Sequence, residues 1–439
     1  MNRLGLVLIA TILAAQPPPA EHVIAITGGK LLTISHGTIP DGVLLIQGAN
    51  ISAVGPAGSV AIPPGAQIVD AKGMTVYPGW IDSESNLGLV ETELEPDSRD
   101  LAETSDEIFP HMHVADAFHA ESVHIPIARA NGILNAVIAP GTADSMPGQD
   151  IFVQLAGRDR DDMILDRDIA LPINFSGAQR RDGTEFPSTR MGLAAQLRQT
   201  FLDAQEYKRK LDAYQQQAAH PAKHLKKEPN TIPEPPDRDL KLEALLPYLE
   251  GKRPVVLGAY NSDDVETAMS IAHEFHLKVV LSHLTRSQSI LDEVASWHVP
   301  VIVGPLYDLP RANERYDAVY SLPAELVKRG VKIAFASYGA DAGHGAPSLG
   351  FTRDLPYAAG YAVAYGLPYD DALKALTLNP AQIWGVDDKL GSLDPGKTAN
   401  IVIANGDPLD VTTTVTRVYI AGQAISLETR QTRLRDEYK

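Results

Sequence analysis

Short apolar, β-branched runs broken by Gly, Pro and Asn follow the first twenty residues, at 23–26, 31–34, 43–47, 50–54 and 67–70. Runs of this length bounded by turn residues read as strands, so this region predicts a small antiparallel sheet. From about Thr75 the rhythm changes. Apolar runs at 75–81, 135–139, 151–155, 254–259, 278–282, 299–303 and 332–336 alternate with longer stretches of helical periodicity. Alternating strands and helices predict a parallel sheet, and about eight such units close most economically as a (β/α)8 barrel. Strand patterning returns at 400–404, 415–420 and 423–426, with Gly422 at a hairpin turn. The expected fold is α/β: a TIM-like barrel over 76–388 and a small β-sandwich domain built from both termini, 21–75 and 389–430. One interruption stands out near 205–239, a charged helix followed by five prolines between His220 and Asp239, which reads as an insertion at a barrel rim.

Arg3 precedes an apolar run from Leu4 to Ala15, then Gln16 and three prolines. This is the layout of a signal peptide, residues 1–15, and predicts a periplasmic or secreted protein. The run is shorter than the roughly 20 residues that cross a bilayer, so no stable membrane span is expected. Acidic residues outnumber basic ones by 55 to 38, a formal charge of −17. Such a field repels phosphate backbones and argues against nucleic-acid partners. The one basic cluster, Lys223, His224, Lys226 and Lys227, reads as a solvated loop. With no cysteine, a thiol nucleophile, an iron–sulfur cluster, a thiolate-bound zinc and disulfides are all excluded. The serine-hydrolase elbow G-x-S-x-G is likewise missing.

The segment 76–89, VYPGWIDSESNLGL, resembles the first-strand signature of the amidohydrolase superfamily, PG-x-x-D-x-H-x-H-x-G. The tail 379–408, with its NPA, GS-x-x-PGK-x-A and GDP elements, is similar to that superfamily's return into its sandwich domain. Between them, GTADSMPGQDIFVQLAG at 141–157, PSTR at 187–190 and LPYAAGYAVAYGL at 355–367 resemble an exported branch related to imidazolonepropionases.

The resemblance implies a divalent-metal site at the barrel mouth, and most of its positions are substituted. Glu84 and Asn86 stand at the two H-x-H positions, which share a face because strand side chains alternate. Gln154 falls near the bridging lysine, Tyr260 replaces one histidine ligand, and Tyr338 replaces the metal-binding aspartate. Only His283 keeps its type. The expected function is therefore a catalytically impaired homologue that uses no cofactor. It would act as a binding or partner subunit beside an active paralogue or within a homo-oligomer, and take a small amide-like ligand in a pocket lined by Asn86, Gln154, Tyr260 and Tyr338.

The alternative is an active hydrolase of a non-peptide C–N bond in a small amide or cyclic amide. Its metal site would be rebuilt from Glu84, His283, Asp341 and His344 around one ion such as zinc, with Asp341 as catalytic proton acceptor. Metal-free acid–base chemistry by Glu84 with Tyr260 or Tyr338 is a third reading. His111 and His113 form a further H-x-H, with His119 and His124 nearby, but helical periodicity around them predicts polar helix residues and no metal site.

Overall fold

The structure is a computed structural model and describes residues 23–92, 95–103, 105–175, 186–219, 235–307, 315–338 and 352–439. The leader-like segment, the basic cluster, Asp341 and His344 lie outside the described residues.

Both termini build one eight-stranded sheet. Its strands are β1 (Val23–Leu32), β2 (Thr38–Gln47), β3 (Asn50–Pro56), β4 (Gln67–Asp70) and β5 (Thr75–Pro78). The C-terminal β14 (Ile401–Ala404), β15 (Val415–Ile420) and β16 (Gln423–Ile425) complete it in the order β16-β15-β14-β5-β1-β2-β3, with β4 also on β1. The sheet is mixed where an antiparallel one was expected: β4 and β5 both run parallel to β1. The two apolar runs expected at 23–34 fuse into the single strand β1, bent by register shifts at Thr27/Gly29 and Gly29/Leu31.

The second sheet is the barrel: β6 (Trp80–Ser85), β7 (Ile133–Ile138), β8 (Asp150–Gln154), β9 (Ile164–Asn174), β10 (Val255–Asn261), β11 (Val279–Arg286), β12 (Val301–Val303) and β13 (Ile333–Phe335), bonded in sequence order. The predicted strand at 75–81 is two strands, β5 in the terminal sheet and β6 in the barrel. The chain changes sheet at Gly79, where a Cβ would lie 2.5 Å from the Leu134 side chain. Another departure is β8, which runs antiparallel to both neighbours. No crossover helix separates β8 from β9, only a short connection carrying the one-turn helix Arg160–Met163, and a short connection returns the chain alongside itself.

Inward residues Ile81, Val137, Phe152, Ala170, Val256, Val280 and Ile302 fill the barrel, closed below by Trp384 and Leu390. Between β13 and β6 the wall is fastened by loop and side-chain contacts. Tyr338 N–H donates to Glu84 O at 3.0 Å, and Ser337 N–H donates to Asp82 Oδ1 at 3.0 Å. The charged helix expected near Gln205 begins earlier and spans Arg190–Ala219. Among the described residues no helix is long and apolar enough to cross a membrane.

Candidate functional site

The C-terminal ends of the parallel strands form the mouth of the barrel, the face on which barrel active sites sit. On β6 a bulge decides what reaches the lumen. Asp82 pairs with Ala136 and Ser85 with Ile138, so three residues of β6 advance against two of β7. A bulge re-aims the side chains that follow it. Glu84 accordingly crosses to β11, where it accepts a hydrogen bond from Ser282 Oγ at 2.7 Å and lies 3.5 Å from His283 Nε2.

His283 is 1% exposed and held on three sides. Its Nδ1 bonds Gly304 O at 2.9 Å, Glu84 faces Nε2, and the Tyr260 ring stacks on it at 4.7 Å with planes 2° apart. Arg286 covers the Tyr260 ring at 5.4 Å. His283 and Leu284 adopt φ of +79° and +56°, a left-handed backbone that costs on the order of 1–3 kcal/mol per residue and concentrates at functional sites. The strain turns the end of β11 so that the imidazole meets both Glu84 and Tyr260.

Around this pair the lumen is acidic and buried. Burial pushes the Asp82 carboxyl up to about 7, against the hydrogen bonds from Ser337 and from Glu84 N–H. Ser337 Oγ also donates to Asp82 and contacts Thr352 Oγ1 at 3.2 Å, which contacts Ser85 Oγ at 3.2 Å. Burial, and then the Glu84 charge, raise Asp150 well above the usual carboxylate range. The same two causes push the Tyr338 phenol up to about 12.

Glu84, Tyr260, His283 and Tyr338 are thus gathered at the mouth, and Asn86 follows β6 there, 2% exposed. Gln154 is not. It pairs with Asn135, which pairs with Ile81 at the opposite end of the barrel, and its amide donates to Ala156 O at 3.2 Å. The reason is the reversed direction of β8, which brings Asp150 to the mouth in its place. On β9 the equivalent end is Asn174, whose Oδ1 would lie 2.9 Å from a Cβ at Gly258. Asp82, Asp150, Ser282 and Asn174 were all missed. Asp82 stands within the PG-x-x-D motif and gave a signal; the others depend on strand direction.

His111 and His113 sit in the turn ahead of the short helix Val114–Ala117 rather than within a helix, and His113 pairs with Asp168 at 2.7 Å. A cleft of about 810 Å³ beside the helix Arg190–Ala219 is lined by none of the mouth residues.

A resident zinc ion typically takes three or four protein ligands. Among the described residues no three His, Asp or Glu side chains stand close enough to hold one. Tyr338 stays a neutral phenol, and Asn86 offers only a neutral amide oxygen. The described donors therefore do not fit a resident divalent ion.

Residues 250–425 match the Amidohydrolase family. The chain is 26% identical over 384 residues to the protein named amidohydrolase tasK from Hapsidospora irregularis, a match covering 83% of this chain and 37% of that longer protein. It is similar to the crystal structure of an amidohydrolase from Thermotoga maritima, with 29% identity, a TM-score of 0.80, and coverage of 92% of this chain and 99% of that one. It shares the fold of phenylurea hydrolase B at 18% identity and a TM-score of 0.56, over 92% and 97% of the two chains. The barrel, the two-ended sheet and these similarities agree in likening the chain to the amidohydrolases.

Proposed function

We propose that this protein is a catalytically impaired amidohydrolase-fold protein that binds a small amide-like ligand at the barrel mouth, as a binding or partner subunit. The observation that carries this reading is the donor set at the mouth: Asn86 offers only a neutral amide and burial keeps the Tyr338 phenol protonated, where the resemblance implies a histidine and an aspartate ligand. Metal analysis of protein purified without chelator or histidine tag tests the proposal, together with turnover assays on anilides, ureas and lactams before and after zinc loading. The expected result is metal well below one ion per chain and no turnover. Stoichiometric metal with amide cleavage would overturn it.

A second reading is favoured by the relatives, whose names are those of hydrolases. Here the protein cleaves a non-peptide C–N bond, with Asp341 and His344 joining Glu84 and His283 around one divalent ion. It requires His283→Ala and Asp341→Ala each to abolish turnover while leaving the circular dichroism spectrum unchanged. Turnover that survives both substitutions would remove this site from consideration.

A further inference from the structure

Two buried polar atoms at the mouth have no hydrogen-bond partner among the described residues: Asp150 Oδ1 and Asn86 Nδ2. Both residues are 2% exposed. A buried polar group left unpaired is costly, and two of them at a barrel mouth call for an occupant that satisfies them. Asp150 shares the inward face of β8 with Phe152, which packs in the barrel interior, because side chains two apart on a strand point the same way. The Glu84 charge acts on Asp150, which places the two in the same lumen. Asn86 follows Ser85, whose carbonyl accepts from Ala139 N–H, while Ile138 pairs with Ile151. The two residues therefore flank the end of β7 from either side. Two strand spacings, about 10 Å, separate their backbones, a gap that two short side chains, two hydrogen bonds and one small polar group can bridge.

We propose that Asp150 and Asn86 form a recognition pair that determines specificity for ligands carrying an N–H next to a carbonyl. Asp150 Oδ1 accepts from the N–H, and Asn86 Nδ2 donates to the carbonyl oxygen. Secondary amides, ureas and lactams present both groups. Tertiary amides and esters present only the oxygen and leave the Asp150 atom buried and unpaired. A site built around a hydrogen bond rejects the analogue that lacks it far more strongly than an apolar pocket rejects a change of size. This assignment rests on the amide-binding reading above and extends it to named atoms.

The test is calorimetric titration of the full chain with acetanilide, N-methylacetanilide and phenyl acetate. The wild-type protein should bind acetanilide at least about tenfold more tightly than the other two, equivalent to about 1.4 kcal/mol. Asp150→Ala should abolish that preference, and Asp150→Asn, which keeps an acceptor oxygen, should retain part of it. Asn86→Ala should weaken acetanilide and N-methylacetanilide by the same factor, since both keep the carbonyl. Melting curves identify any variant that fails to fold, and the conservative Asp150→Asn variant then carries the comparison. Unchanged preference in the Asp150 variants would overturn the pair while leaving amide binding in place. A wild-type protein that binds none of the three probes would overturn amide binding, and the pair with it.

Discussion

At the scale of single residues, Asp82 makes the sharpest prediction. Its ordinary pKa of 3.8 is moved by burial to about 7 in the folded protein. The folded state therefore binds this proton more tightly than the unfolded chain does. Its contribution to stability is fully present below about pH 4 and is lost as pH rises toward 7. At about 1.4 kcal/mol per pKa unit the span is of the order of 4 kcal/mol at most. Asp82→Asn removes the titration while keeping an oxygen for the Ser337 N–H. Urea midpoints measured near pH 5 and pH 8 should fall in the wild-type protein and fall less in the variant. Equal slopes would show that Asp82 titrates normally. Glu84 and His283 were legible from the sequence because motif spacing alone locates them. Asp150 was not, since its place at the mouth follows from the direction of a strand, and apolar runs such as IFVQL carry no sign of direction.

Elements show the same division. The runs at 254–259, 278–282, 299–303 and 332–336 are followed by helices long enough for parallel crossovers, and the structure has strands there in the predicted order. Strand β9 was not legible, because its first half, ILDRD, alternates into solvent and only IALPIN is buried. The passage from β5 to β6 was hidden for a different reason. The Pro78–Gly79 dipeptide interrupts the run with a turn signal, but a turn signal does not show that hydrogen bonding passes there from one sheet to the other. Gly79 is that point, with its N–H donating to Asn400 O at 2.9 Å and Leu134 against its Cα. Gly79→Ala should force Leu134 aside and cost about 1–3 kcal/mol, the usual range for overpacking a core. Chemical denaturation would measure it, and a loss under about 0.5 kcal/mol would mean that the junction tolerates a side chain.

Across the whole molecule, the two-part architecture was legible because β-rich ends enclose a strand–helix middle, and a terminal sheet of that kind needs both ends to form. How tightly the parts are joined was not legible. The C-terminal β14 lies between β5 and β15, so the terminal sheet stays incomplete until the last part of the chain returns. One apolar cluster runs from the barrel wall through Tyr77 and Trp80 to Val402, Ala404, Val415 and Val418. Asn400 Nδ2 also donates to Asn135 Oδ1 on the barrel at 2.9 Å. Domains joined by small polar interfaces unfold separately, whereas a shared apolar core couples their unfolding. Sheet and barrel should therefore open together. Native-state hydrogen exchange at rising denaturant should show the amides of β2 and β3 merging into the same global opening as those of β10 and β11. If the terminal sheet exchanges through its own opening, at lower free energy and with its own denaturant dependence, the apolar continuity through Tyr77 and Trp80 does not couple the two parts.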